Sequence, residues 1–573
     1  MSDSFFIVAV DFGTAYSGYS FCFKSCIDNI RTVYWGQEMG MNSLKTPTCV
    51  LFDDNEVFMK FGYEAIMTYT RMDKVEASTK CFFKNFKMDL YNKTVSRNLM
   101  IPATNGKSMR AMKVFSESLR YLKDHALQSI REHTSGREFI ASDVTWVLTV
   151  PAIWEPAAKQ FMREAAVEAG LVSDFHSDQL ILALEPEAAS VWCKQLPSEG
   201  FVAQGASQDN RLEQNPGTQY VVVDCGGGTI DITVHEVLQG GSLKELLKAS
   251  GGDMGGETVT NKYISFLRDL FHPDVWDKYE IQNPSELQKM IYDFTAQKCF
   301  GGDEDIYIQC PFNLAMFAGK KQDITHYFEG VQGVSWQDGM FKITHSKFKS
   351  FFEQSVAKII KDIYSIISTP EIHIDFILLV GGYASCNILQ KEIHKHFSYR
   401  CKVLCPVDAQ LAVLKGAVLF GNNPKIVASR VSALTYGISF CPTFDESKHK
   451  EEKRRVNKKG DYVYCADVFQ RMMQKGQSVK CDEVSPHHFY PIDDDQTKMG
   501  FSFYSTEKPD AVYVDERHTK KIGSFSVPMP DISQRRSRRV RFEIRFGLTE
   551  IQATATDLTS NQTRSIRLDF LTQ

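Results

Sequence analysis

The chain has 573 residues, 43% of them hydrophobic and 24% charged, so it is long enough for two or more domains that each bury a core. A formal net charge of −4 argues against a generic nucleic-acid or membrane-surface binder. Its fourteen cysteines contain no CxxC pair, which argues against zinc and disulfide frameworks and suits free thiols in a reducing, cytoplasmic setting.

In chain order, "MSDSFFIVAVDFGTAYSGYSF" carries an apolar run but no basic leader, and Asp11 interrupts it, so it reads as a first core strand. No apolar run approaches the roughly eighteen residues of a membrane span. "KVFSESLRYLKDHALQSIREH" has helical periodicity and "DVTWVLTVP" reads as a buried strand. "EPAAKQFMREAAVEAG" is a helix with Pro156 in its first turn and Gly170 past its end. The polar, Gly-containing stretch 197–218 reads as a mobile surface insertion. "SVAKIIKDIYSIIS", "IDFILLV" and "CNILQKEIHKHF" continue the alternation as helix, strand and helix. Residues 1–424 are therefore expected to form an α/β domain. From Val431 onward, short alternating runs such as "MGFSFYST" and "RVRFEIRF" predict an all-β sandwich over 431–573, with 425–430 as a linker. Within it, "ESKHKEEKRRVNKKGDY" reads as a solvated loop, and "RRSRRVR" as either a targeting or anionic-ligand patch or, more simply, a charged edge turn.

Two stretches share one grammar. "VAVDFGTAYSGYSF" sets Asp11, Gly13 and Thr14 after an apolar strand, and a second alternating strand returns. "VVVDCGGGTIDITV" does the same with Asp224, Gly226, Gly227, Gly228 and Thr229. Glycine in such a turn lets backbone N–H groups approach a phosphate, the strand-end carboxylate suits a hydrated Mg²⁺, and the Thr hydroxyl suits a phosphate oxygen. Neither stretch has the lysine of a Walker loop or the following helix of a Rossmann fingerprint. The pairing implies duplicated halves facing a cleft. A third element, "IDFILLVGGYASCNILQKEI", places Gly381 and Gly382 between a strand and a helix, where a nucleoside can lie close to the backbone.

These pieces resemble the actin-like ATPase superfamily, and within it the seventy-kilodalton heat-shock (DnaK-like) chaperones, nearest the divergent branch numbered twelve. "VLTVPAIWEPAAKQFMREAAVEAGL", "LILALEPEAAS", "SGGDMGGE" and the C-terminal "RRVRFEIRFGLTEIQATATDL" carry that resemblance. It implies ATP or ADP with Mg²⁺ as cofactors, Asp11 and Asp224 at the metal, and Glu185 near the attacking water. It also implies contacts to nucleotide from Ala15, Tyr16, Gly255 and Tyr383, a catalytic function for Asp224 and Thr229, and protein clients or regulators for the β-domain. The family's catalytic lysine falls in "CFFKNFKMDL", where Lys84 is preferred to Lys87. Asp231 either reaches the metal shell or faces outward from its strand. Ala15 replaces a usual Thr, and Ser385 stands where an adenine-stacking arginine is expected. Lys298 is the candidate for the other adenine wall, although its simplest reading is a surface charge. The usual acidic, leucine-containing interdomain linker is replaced by "PKIVASR", and the chain stops at Gln573 without the family's helical lid. Two readings follow: a chaperone-like ATPase of slow turnover, or a nucleotide-gated adaptor with little hydrolysis. A small-molecule kinase is a weaker third.

Overall fold

A computed structural model describes residues 4–571, other than 38, 39, 41, 203–210, 301, 302, 482, 547–549, 568 and 569. Residues 203–210 of the expected mobile insertion thus lie outside the described residues. The chain divides into two compact units, Met1–Thr233 with Ala249–Pro424, and Val234–Lys248 with Lys425–Gln573.

Two larger sheets of matching order frame the first unit, beside smaller two- and three-stranded sheets. Strand β1 (Phe6–Phe12) is buried along its whole length, as a strand covered on both faces must be. It pairs antiparallel with β2 (Tyr16–Phe23) and parallel with β3 (Val144–Val150), which pairs parallel with β4 (Leu180–Leu184). Helix α1 (Glu185–Cys193) follows directly. The second sheet repeats the plan with β5 (Gln219–Cys225), which turns back into β6 (Ile230–Val237). Strand β7 (Leu243–Gly252), whose residues up to Lys248 belong to the second unit, and helices α2 (Gly256–Leu270) and α3 (Pro284–Phe300) come next. Strand β8 (Phe376–Val380) then joins β5 in parallel and β9 (Lys402–Leu404) joins β8, before helix α4 (Ala409–Asn422). The orders β4-β3-β1-β2 and β9-β8-β5-β6 correspond strand for strand, and a helix follows the last parallel strand in each. Those two helices cross at Gly416, where any Cβ would overlap the Ala188 carbonyl. Only glycine allows so close an approach of two backbones.

In the second unit β10 (Val427–Val431) pairs parallel with β7, Leu243 opposite Val427, and antiparallel with Ser478–Lys480. The segment expected to be a linker is therefore strand over residues 427–430, after the 3₁₀ turn Pro424–Ile426. Its apolar, β-branched spacing already has that character, but the partner strand lies far earlier in the chain. Two four-stranded antiparallel sheets make up most of the rest. One takes Val468–Met473, Thr435–Phe440, Lys498–Thr506 and Lys520–Pro528; the other takes Ser485–Phe489, Val540–Arg545, Gln552–Asp557 and Thr563–Arg567. Both contribute to one cluster that includes Ile438, Phe501, Phe503, Val527, Phe542 and Ala555. The Phe501 and Phe542 rings stack at 4.9 Å, which adds to their burial.

Two charged stretches differ from expectation. Arg538, inside "RRSRRVR", is fully buried and donates to the carbonyls of Asp494, Gln496 and Arg535, so this one residue staples loops together while Arg535, Arg539 and Arg541 stay exposed. Part of the expected solvated loop is a hairpin in which Arg454–Val456 pairs with Val463–Cys465.

Candidate functional site

Both glycine turns stand at the ends of buried strands. A Cβ at Gly13 would overlap the carbonyl of Tyr16, and the Gly226 N–H donates to the Thr229 carbonyl at 3.0 Å. Each turn is also pinned from outside. Thr48 donates its hydroxyl to Gly13 O and its N–H to Ala15 O, both at 2.8 Å. The N–H groups of Gly255, Gly256 and Glu257, where α2 begins, donate to the carbonyls of Gly228, Gly226 and Gly227. The two turns meet tip to tip: a Cβ at Gly227 would lie 2.6 Å from Ala15 Cβ, and one at Gly228 would lie 2.7 Å from Thr14 Oγ1. Gly381, at φ +89°, leaves no room for a side chain against the Asp224 carboxylate and the Cys225 carbonyl.

Four buried carboxylates, Asp11, Glu185, Asp224 and Asp231, collect beside these turns with two buried lysines, Lys45 and Lys87. Burial alone would raise the Asp11 carboxyl, but the Lys45 ammonium, aided by Lys87 and Thr149, holds it below its ordinary value. Glu185, the first residue of α1, accepts from Lys87 Nζ at 2.7 Å. Its carboxyl is nonetheless pushed up to about 7, because burial and the charges of Asp11 and Asp231 outweigh one ammonium. Burial, then the charges of Glu185, Asp231 and Asp11, raises Asp224 well above the ordinary range. Asp231 is raised by burial, although the Ile153 N–H at 2.8 Å and the Thr229 hydroxyl at 3.1 Å support its charge.

No described residue donates a hydrogen bond to the Asp224 carboxylate, and acids outnumber ammonium groups in the cluster. A hard divalent cation fits that imbalance. Among the described residues no three acid, His or Cys groups converge as a direct chelate.

Of the two lysines in "CFFKNFKMDL", Lys87 joins the cluster and Lys84 does not. Lys84 ends a strand and donates to Gln288 Oε1 at 3.0 Å. Asn85, left-handed at φ 56°, then turns the chain into a short 3₁₀ segment that directs Lys87 inward, 5.2 Å from the Trp154 ring centre. Lys298 is buried, contrary to the surface reading, and donates to Gly256 O at 2.8 Å and Thr260 Oγ1 at 3.0 Å. Tyr383 packs against the same glycine. Gly382 has open space at its Cα, Tyr16 is half-buried, and Ser385 lies in a 3₁₀ turn. Lys45 and Thr149 escaped the sequence reading. The one local hint to Lys45 is its place directly before the Thr-Pro-Thr that precedes a strand.

Twin sheets with a helix behind each, and facing glycine turns over buried carboxylates, place the chain in a defined class. A family model described as Hsp70 protein matches residues 70–474, and the chain belongs to the Hsp70 family. That family has the actin-like ATPase fold, and its members generally bind ATP or ADP with Mg²⁺. Among similar proteins, heat shock 70 kDa protein 12A of Mus musculus is 32% identical over 99% of this chain and 91% of its own length. The Homo sapiens 12A protein has the same identity and coverage. Heat shock 70 kDa protein 12B of Homo sapiens is 34% identical, again over 99% of this chain and 91% of its own. Among the described residues no helix is long and apolar enough to cross a membrane.

Proposed function

We propose that this chain binds ATP or ADP with Mg²⁺ at the paired glycine turns, hydrolyses ATP slowly, and holds protein partners through its second unit. The observation that carries the reading is the Lys87–Glu185 pair set among Asp11, Asp224 and Asp231, beside two turns that admit no side chain. Thr14, Thr229 and the turn amides bind phosphate oxygens. Lys87 offsets the charge that develops on the terminal phosphoryl group, and Glu185 with Asp231 orients the attacking water. Bound Mg²⁺ supplies further neutralisation of the phosphate oxygens. Lys298, Gly381, Gly382 and Tyr383 form the nucleoside side of the site.

Slow turnover follows from the same geometry. The Glu185 carboxylate is already engaged by the Lys87 ammonium, which leaves it a weaker acceptor for a water proton. This feature also supports the second reading, a nucleotide-gated adaptor. The two-sheet second unit is read as a β-sandwich akin to the family's peptide-binding domain. All fourteen cysteines are free and most are buried, which accords with a reducing, cytoplasmic setting.

Titration calorimetry with ATP and ADP, combined with single-turnover phosphate release, tests the proposal. Binding with slow release supports the ATPase, binding without release supports the adaptor, and no binding of either nucleotide refutes both.

A further inference from the structure

We propose that Lys45 is a built-in cation of the nucleotide site, which lets the chain hold the phosphates of a nucleotide without Mg²⁺. The inference rests on the reading of the glycine turns as a nucleotide site, and it concerns what this chain adds there.

The placement of Lys45 is constructed by three neighbours. Asp11 and Gly18 are opposite residues of β1 and β2, so their side-chain positions share one face of the sheet. Gly18 leaves that face bare, and the Lys45 chain covers it: a Cβ at Gly18 would lie 3.2 Å from Lys45 Cγ. The next residues, Thr46 and Pro47, pair with Ser17 and Tyr16 of β2, which fixes where the lysine emerges. Thr48 then pins the first glycine turn through Gly13 O and Ala15 O. One segment therefore delivers a buried ammonium and holds the phosphate-facing turn beside it.

The duplicated halves make the asymmetry plain. Asp11 and Asp224 occupy equivalent strand ends, but Asp11 is paired with Lys45 and accepts from Thr149 at 2.9 Å, whereas Asp224 has no donor among the described residues. A buried carboxylate already neutralised by an ammonium has little to gain from a metal ion. Asp11 is also the one hydrogen-bond acceptor that Lys45 meets among the described residues. An ammonium has three donors, so two are left for phosphate oxygens.

The test is calorimetric titration of the full chain with ATP, in Mg²⁺ and in EDTA, for the wild type, Lys45→Met, and Lys45→Met with Asp11→Asn. The double variant removes the uncompensated Asp11 charge that could unfold the single one. For the wild type the dissociation constant should rise less than about tenfold on chelation, and for both variants about a hundredfold, the scale of a lost charge-assisted contact. Wild-type binding that disappears in EDTA overturns the proposal while leaving the nucleotide site intact. Variants that retain wild-type affinity in EDTA overturn it as well. Failure to bind ATP in either buffer defeats the nucleotide reading itself, and the proposal with it.

Discussion

Lys84 and Lys87 belong to one short segment, yet only Lys87 meets an acid, and the difference carries the first prediction. Lys87→Met should lower single-turnover phosphate release by about 10²–10³, the usual loss on removing one electrostatic stabiliser of a transition state. Lys84→Met, which removes a hydrogen bond to Gln288 outside the acid cluster, should leave release within about threefold. Equal losses would return the catalytic function to the strand-end lysine. Glu185 adds a pH signature. Its carboxyl is held higher in the folded protein than its ordinary 4.5, so the folded state binds that proton more tightly than the unfolded chain does. The resulting stabilisation is complete below pH 4.5 and is lost as pH rises through about 7. Without metal and nucleotide, the wild type should lose melting temperature from pH 5 to pH 8 relative to Glu185→Gln, whose amide does not titrate. Parallel melting curves for the two proteins across that range would contradict the assignment.

At the scale of elements, the glycine turns and the helix crossing both rely on missing side chains, with different consequences. Gly227→Ala places a methyl 2.6 Å from Ala15 Cβ, so the turns must separate and nucleotide affinity should fall at least about tenfold with the fold retained. Gly416→Val drives α4 off α1 and should destabilise the first unit by more than about 3 kcal/mol, because the obstruction is backbone. Calorimetry separates the two from one another: Gly227→Ala should melt near the wild type and bind poorly, and Gly416→Val should melt early. These turns were legible in the sequence because strand, Asp, Gly and Thr are local and appear twice. The lysines were not. The choice between Lys84 and Lys87 depends on one left-handed residue, Asn85. Lys45 acquires its partner only through the register of β1 on β2. Lys298 is buried by the start of α2, which no charge pattern along α3 announces.

At the scale of the whole molecule, the sequence reading followed composition and placed a boundary where helical periodicity ends. Composition is blind to the contribution of Val234–Lys248 to the second unit, because a strand pairing between distant segments leaves no local mark. The pairing is well made. Leu243 stands opposite Val427, Glu245 accepts the Val431 N–H at 2.8 Å, and the Ala428 carbonyl accepts the Cys481 N–H on the other side. Residues 427–431 should therefore exchange amide hydrogens as a strand does and not as an exposed linker. Leu243→Ala should weaken that strand, since Leu243 is fully buried and such truncations cost about 2–5 kcal/mol. Hydrogen exchange of the full chain, followed by mass spectrometry, reads both effects. The wild type should protect 427–431, and Leu243→Ala should lose that protection before the strands of the Phe501–Phe542 cluster lose theirs, because that cluster does not include Leu243. Immediate exchange over 427–431 in the wild type would restore the linker. Loss of protection in the variant at both places together would mean that β10 and the two sheets unfold as one cooperative unit.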